Sequence, residues 1–129
     1  MDVRYSFNPM DFLDYALKVN ECVRENMNNC TIKNDQALLR TAVSRAYYAI
    51  FLEARERLNI TVQDHTVHRR VIERLREEGH PDLSSKLNSL RRQRLLADYN
   101  LNYYINERTF KWILDTACSI RQEFDKRGI

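Results

Sequence analysis

The chain has 129 residues, a formal charge of +3, 30% charged residues, and only two glycines and two prolines. That length fits one domain, residues 1–129, which can bury a core without disulfide or metal staples. Scarce turn formers with abundant Leu, Ala, Arg and Glu exclude a strand-and-turn protein and predict an all-α one.

The first helix is marked at its start by Asn8 as N-cap, Pro9 at the first helical position and Asp11 in the first turn, with Phe7 placed to staple onto Phe12. Phe12, Tyr15, Ala16, Val19, Cys22 and Val23 are its expected inner face. Asn-rich MNNCTIKN ends it, and Asn34 or Asp35 caps a longer second helix that runs to about Leu58. The inner stripe there is Leu39, Ala42, Ala46, Ala49, Ile50 and Phe51, small enough in places to admit another backbone closely. NITVQD breaks helical spacing and reads as a loop, followed by a third helix from about Thr66 to Glu78, closed by Gly79. Pro81 forces an extended step at His80, and a fourth helix covers about Asp82 to Asp98. NLNYYIN is the next connector. Asn106 caps a last helix with Phe110, Ile113, Leu114, Ala117, Ile120 and Phe124 inside and Gly128 beyond its end. Short connections make an antiparallel bundle of four to five helices the expected architecture.

Cys22, Cys30 and Cys118 are odd in number and widely spaced, with no CxxC pair. Buried, reduced thiols are expected. MDVRYSFNPM carries no apolar run of the signal-peptide kind, and no segment reaches the roughly 20 apolar residues of a membrane span, so the expected place is the cytoplasm, with no membrane partner. His65 and His68 stand three apart but have no third ligand at a matching spacing, so a surface or capping role is expected of them, with no metal and no cofactor. Glycine-rich phosphate loops, HExxH and a nucleophile elbow are absent. Arg69, Arg70, Arg74 and Arg76 are interleaved with Glu73, Glu77 and Glu78, which favours a solvated face laced with ion pairs over an RNA track.

Two stretches remain. In RRQRLLADYN, Leu83, Leu87 and Leu90 recur at helical spacing and the next position on that face is Arg94, followed by Ala97. A charge on a buried stripe needs a partner, and Asp98, one turn on, is the nearest. In SRAYYAIF, Arg45 lies at the margin of the inner stripe beside Tyr47 and Tyr48, which read as packing residues together with Phe51. A phosphate-holding pocket and a purely structural ion network both fit these residues.

SRAYYAIF on the second helix, TVHRRVIERL on the third and RLLADY on the fourth together resemble the HEPN domain superfamily, in particular its small prokaryotic single-domain branch. The likeness runs in order from about Leu38 to the C-terminal helix. It implies a helical bundle, a homodimer, and pairing with a minimal nucleotidyltransferase in toxin-antitoxin or defence-type systems. In many such proteins an arginine and a histidine four to six residues later form a metal-independent ribonuclease site across the dimer. Here the positions that follow Arg92 and Arg94 at that spacing hold no histidine, and the Arg74/His80 match lies outside the corresponding element; His68, on the third helix, is the histidine that could swing into the site instead.

The resemblance therefore carries over to Arg94, Asp98 and Tyr99 as the site's reacting positions, with Arg45 as their expected companion and Arg91 and Arg92 as a positive rim for RNA or a nucleotide. Binding is the favoured function; an active endoribonuclease toxin and a ligand-free structural dimer are the alternatives. Should the partner modify this chain, Tyr103 and Tyr104 are the hydroxyls to inspect first, though loop packing is the plainer account of both.

Overall fold

The computed structural model describes residues 7–24 and 36–129. Five helices occupy them: α1 Met10–Arg24, α2 Gln36–Arg57, α3 Val67–Glu77, α4 Pro81–Tyr99 and α5 Glu107–Arg127. Among the described residues there is no strand, and the fold is an all-α bundle. The turn that ends α1, the cap of α2 and Cys30 lie outside the described residues.

Helix boundaries follow the local signals closely. The Asn8 side chain accepts from the Met10 amide (3.0 Å), and the rings of Phe7 and Phe12 pack with centroids 4.6 Å apart. Asn106 accepts from the Thr109 amide at 2.8 Å and starts α5. Gly79 (φ 90°) and Gly128 (φ 66°) take the left-handed conformation that a side chain would strain. Past each, the chain doubles back, His80 N to Leu75 O (2.9 Å) and Ile129 N to Phe124 O (3.0 Å), which satisfies carbonyls left open by the helix end. Pro81, one residue earlier than expected, opens α4, and His80 before it stops short of full extension at φ −121°, ψ 58°.

Helix α2 is the centre. It packs on each of the other four helices, and its Ala42, Ala46, Ala49 and Ala54 are fully buried, so that neighbouring backbones approach closely. The stripes expected on α2 and α5 are buried throughout. On α1 the inner face is Leu13, Ala16 and Val19, rotated from the expected one: Tyr15 and Cys22 are exposed and Phe12 is partly so. The aromatic residues suggested the wrong face because Phe12 lies under the Arg45 guanidinium at the bundle's edge, not in its centre. The expectation of a buried Cys22 fails with that rotation.

Side-chain contacts fix the directions. Gln36 reaches Ile105 and Arg40 reaches Ala97 and Asn100, while Arg57 reaches Asp125 and Ile129. Thus α2 runs against α4 and alongside α5. Arg127 at the end of α5 grips Asp82 at the start of α4 with both Nη atoms (3.0 and 2.6 Å), so those two run in opposite senses. The Ser84 hydroxyl donates to the Ile72 carbonyl (2.8 Å), and α3 lies against α4. The arginines of α3 behave as a solvated face: Arg69, Arg70 and Arg74 pair with Glu73, Glu77 and Glu78. Among the described residues no helix is long and apolar enough to cross a membrane.

Candidate functional site

At the C-terminal end of α4 the leucine row does give way to a charge. The Arg94 and Asp98 side chains are 12% and 26% exposed, and Arg94 Nε donates to Asp98 Oδ2 at 2.9 Å. Ser44 Oγ on α2 donates to the same oxygen at 3.3 Å, which ties the pair to the central helix. The guanidinium carbon stands 5.0 Å from the centroid of Tyr48 on α2 and 5.8 Å from that of Tyr99, whose ring is 71% exposed. A cation over two aromatic faces is held in place by their quadrupoles. The bond to Asp98 uses only one of the guanidinium's several donors.

One turn earlier on α4, Arg91 is partly buried, and its Nε is shut off from solvent without a hydrogen-bond partner. Such a donor is costly unless something accepts from it. Arg91 also acts on the residues opposite. Tyr47, fully buried on α2, has its hydroxyl 2.7 Å from His68 Nδ1 on α3. Burial drives the Tyr47 phenol well above its ordinary value against the opposing pull of Arg91 and Arg94. His68 moves the other way, down to about 4, first through burial and then through the positive charges of Arg91, Arg94 and Arg55. Its ring stacks on Phe51, centroids 4.1 Å apart and planes 19° apart.

His68 is therefore no surface or capping residue, as its place near a helix start suggested. One histidine does stand beside the arginines, but it arrives from α3, not from the positions that follow Arg94 in the chain. His65 is exposed, in keeping with the surface role expected of it.

Arg45 also departs from expectation. It is exposed, with its guanidinium 4.9 Å from the Phe12 centroid on the α1 side, and Ser44 and Tyr48 take the place expected of it. A helix turns about 100° per residue, so the neighbour of Ser44 faces a different helix. Arg92 is exposed and donates to Ser89 (3.2 Å), and it borders a shallow apolar groove with Leu95, Leu96, Tyr99 and the 92% exposed Leu101. Arg91, Arg94, Asp98 and Tyr99 are thus brought together, Arg92 lies on the outer flank, and Arg45 is apart.

The connector is fastened by residues that were not singled out. Arg40 donates to the carbonyls of Ala97 (2.9 Å), Asn100 (2.9 Å) and Tyr103, and Gln36 both donates to the Ile105 carbonyl (3.0 Å) and accepts from its amide (2.9 Å). The signal was present as the row Arg40, Ser44, Tyr47, Phe51, at steps of four, three and four along one flank of α2. Tyr103 is partly buried with its hydroxyl bonded to Gln93, as loop packing predicts, whereas Tyr104 is exposed.

Among the described residues no three His, Cys, Asp or Glu side chains cluster closely enough to hold a metal ion. What the cluster can do is accept an anion: two guanidiniums with donors to spare, a neutral imidazole, and an exposed aromatic face at the rim. Comparison with protein-family models, with curated proteins and with solved structures finds no match to this chain.

Proposed function

We propose that this chain is a HEPN-like module that binds nucleic acid or a nucleotide by a phosphate group at Arg91 and Arg94. The observation that carries the reading is the paired guanidinium geometry: Arg94 is anchored through Nε to Asp98 and braced over Tyr48 and Tyr99, while Arg91 keeps a buried donor unsatisfied. Arginine suits phosphate because its planar fork offers parallel donors to two oxygens. Tyr99 at the rim offers an exposed face on which a base can stack. The sequence likeness adds the context of a homodimer and of a minimal nucleotidyltransferase partner.

The test is retention of a short single-stranded RNA by the purified chain across a salt series, in EDTA. The expected result is binding that weakens with salt and drops at least about tenfold in Arg94→Ala, without cleavage. Retention indifferent to both Arg91→Ala and Arg94→Ala rejects the reading.

A metal-independent endoribonuclease is the second reading, and His68 is what favours it, since it brings an imidazole to the arginines. Asp98 is already engaged by Arg94 and Ser44. RNA cleavage in EDTA, lost in Arg94→Ala, selects the enzyme over the binding module.

A further inference from the structure

His68 is the titratable group of this cluster that phosphate binding as described leaves unused. Its ring is fixed on three sides, by Phe51 beneath, by Tyr48 edge-on (centroids 5.9 Å, planes 74° apart) and by the Tyr47 hydroxyl at Nδ1. A phenol hydroxyl can donate to Nδ1 or accept from it, so that contact survives in either protonation state and Nε2 remains for another partner. The groups that act on the imidazole are Tyr47, Tyr48 and Arg55 from α2 and Arg91 and Arg94 from α4. Every formal charge among them is positive. The carboxylate nearest to them on α4, Asp98, is already engaged by Arg94 and Ser44.

An empty site of this composition keeps the imidazole neutral, because it is partly buried and a third positive charge would add to the repulsive field of the guanidiniums. A phosphodiester seated on Arg91 and Arg94 reverses that: its oxygens cancel the repulsion and can accept from Nε2. We infer that the site takes its phosphate together with one proton, and that His68 is the group that carries it. The inference rests on the phosphate-binding reading above and adds to it a third positive charge, the His68 imidazolium, that is present only with the ligand.

Linkage fixes the consequence. If the ligand raises the proton affinity of His68, a proton raises ligand affinity by the same factor. Binding should then tighten as pH falls from the bound-state value of His68 toward its value without ligand, about 4, and be flat above the bound-state value.

A short oligouridylate is a suitable probe, since neither its diester nor its base titrates in the acid range. In the full chain, the His68 imidazole is followed by NMR through a pH titration with and without saturating oligouridylate. The expected result is a midpoint raised by at least about one unit in the complex, and a Kd that tightens as pH falls below that raised midpoint toward about 4, by up to about tenfold for each unit of the shift. In His68→Gln the acid-side gain should be lost, so that Kd no longer tightens across that range. An Arg94-dependent complex in which the His68 midpoint stays put, or in which His68→Gln keeps the pH dependence, overturns the inference and leaves phosphate binding standing. Binding that is absent, or unaffected by Arg94→Ala, removes both.

Discussion

The hydroxyl of Tyr47 and Nδ1 of His68 lie 2.7 Å apart and join the buried heart of α2 to α3. No sequence spacing relates these two residues, which are 21 positions apart. Their contact turns a packing aromatic and a stray histidine into one unit facing the arginines of α4.

Tyr47→Phe keeps the ring and removes that bond. A buried hydrogen bond of this kind contributes about 1 kcal/mol, and somewhat more when a partner is left unsatisfied. Urea unfolding should show a loss of about 1 to 2 kcal/mol with an unchanged slope. An unchanged midpoint would show that the contact adds nothing to stability.

Stability should depend on pH in two separate windows. His68 takes a proton near 6.5 when unfolded and near 4 when folded. Between those values the unfolded chain binds more protons, so the folded state loses stability as pH falls and holds it fully above about 6.5. After allowance for solvent screening of a partly exposed ring, the change is about 1 to 2 kcal/mol. His68→Gln should flatten this slope in urea titrations made at successive pH values. Asp82 and Asp125, held below the usual carboxylate range chiefly by hydrogen bonds from Arg127 and Arg57, contribute stability that is present above that range. Their share is lost only as pH falls below about 4, in a window that His68→Gln should not alter.

Arg40 holds the end of α4 and the connector through three carbonyls. Arg40→Ala should cost about 2 kcal/mol and speed amide exchange across residues 100–105, because charged donors to carbonyls are among the stronger hydrogen bonds. Lysine cannot span three acceptors, so Arg40→Lys should recover only part of the loss. Unchanged exchange in Arg40→Ala would mean that Gln36 suffices to hold the connector.

Arg94 separates stability from binding. The ion pair with Asp98 is partly exposed, so a double-mutant cycle with Arg94→Ala and Asp98→Ala should give a coupling of about 0.5 to 1 kcal/mol. Arg94→Leu extends the leucine row and should be neutral or stabilising by up to about 1 kcal/mol, yet abolish RNA retention. If Arg94→Leu is stabilising and retention is intact, the pair only sets the register of α2 on α4.

Much of the fold was legible because its signals are local. Asn106, Gly79 and Gly128 mark helix ends through contacts within a few residues, and the stripes of α2 and α5 repeat long enough for helical period to decide their inner faces. On α1 the helical period pointed to Phe12 and Tyr15 where Leu13 is the buried residue, because an aromatic side chain at a bundle's edge can pack against an arginine instead of the core. Half of the candidate site was equally legible: Arg94 and Asp98 are four residues apart on one helix, a separation that places them together whatever surrounds them.

The remainder required the tertiary structure. By itself the sequence determined, among the described residues, where α3, α4 and α5 begin and end to within about a residue, that the helices form an all-α bundle, and that a charged pair interrupts the leucine row of α4. Which α2 residue meets that pair depends on the rotation of one helix against another, where about 100° separates Ser44 from Arg45. Whether a histidine reaches the arginines depends on how α3 lies across α2 and α4, which brings His68 to Tyr47 and into the field of Arg91 and Arg94. Helix ends are set by backbone groups close in the chain, whereas a site built from three helices is set by the packing of whole faces, and no spacing within one helix encodes that.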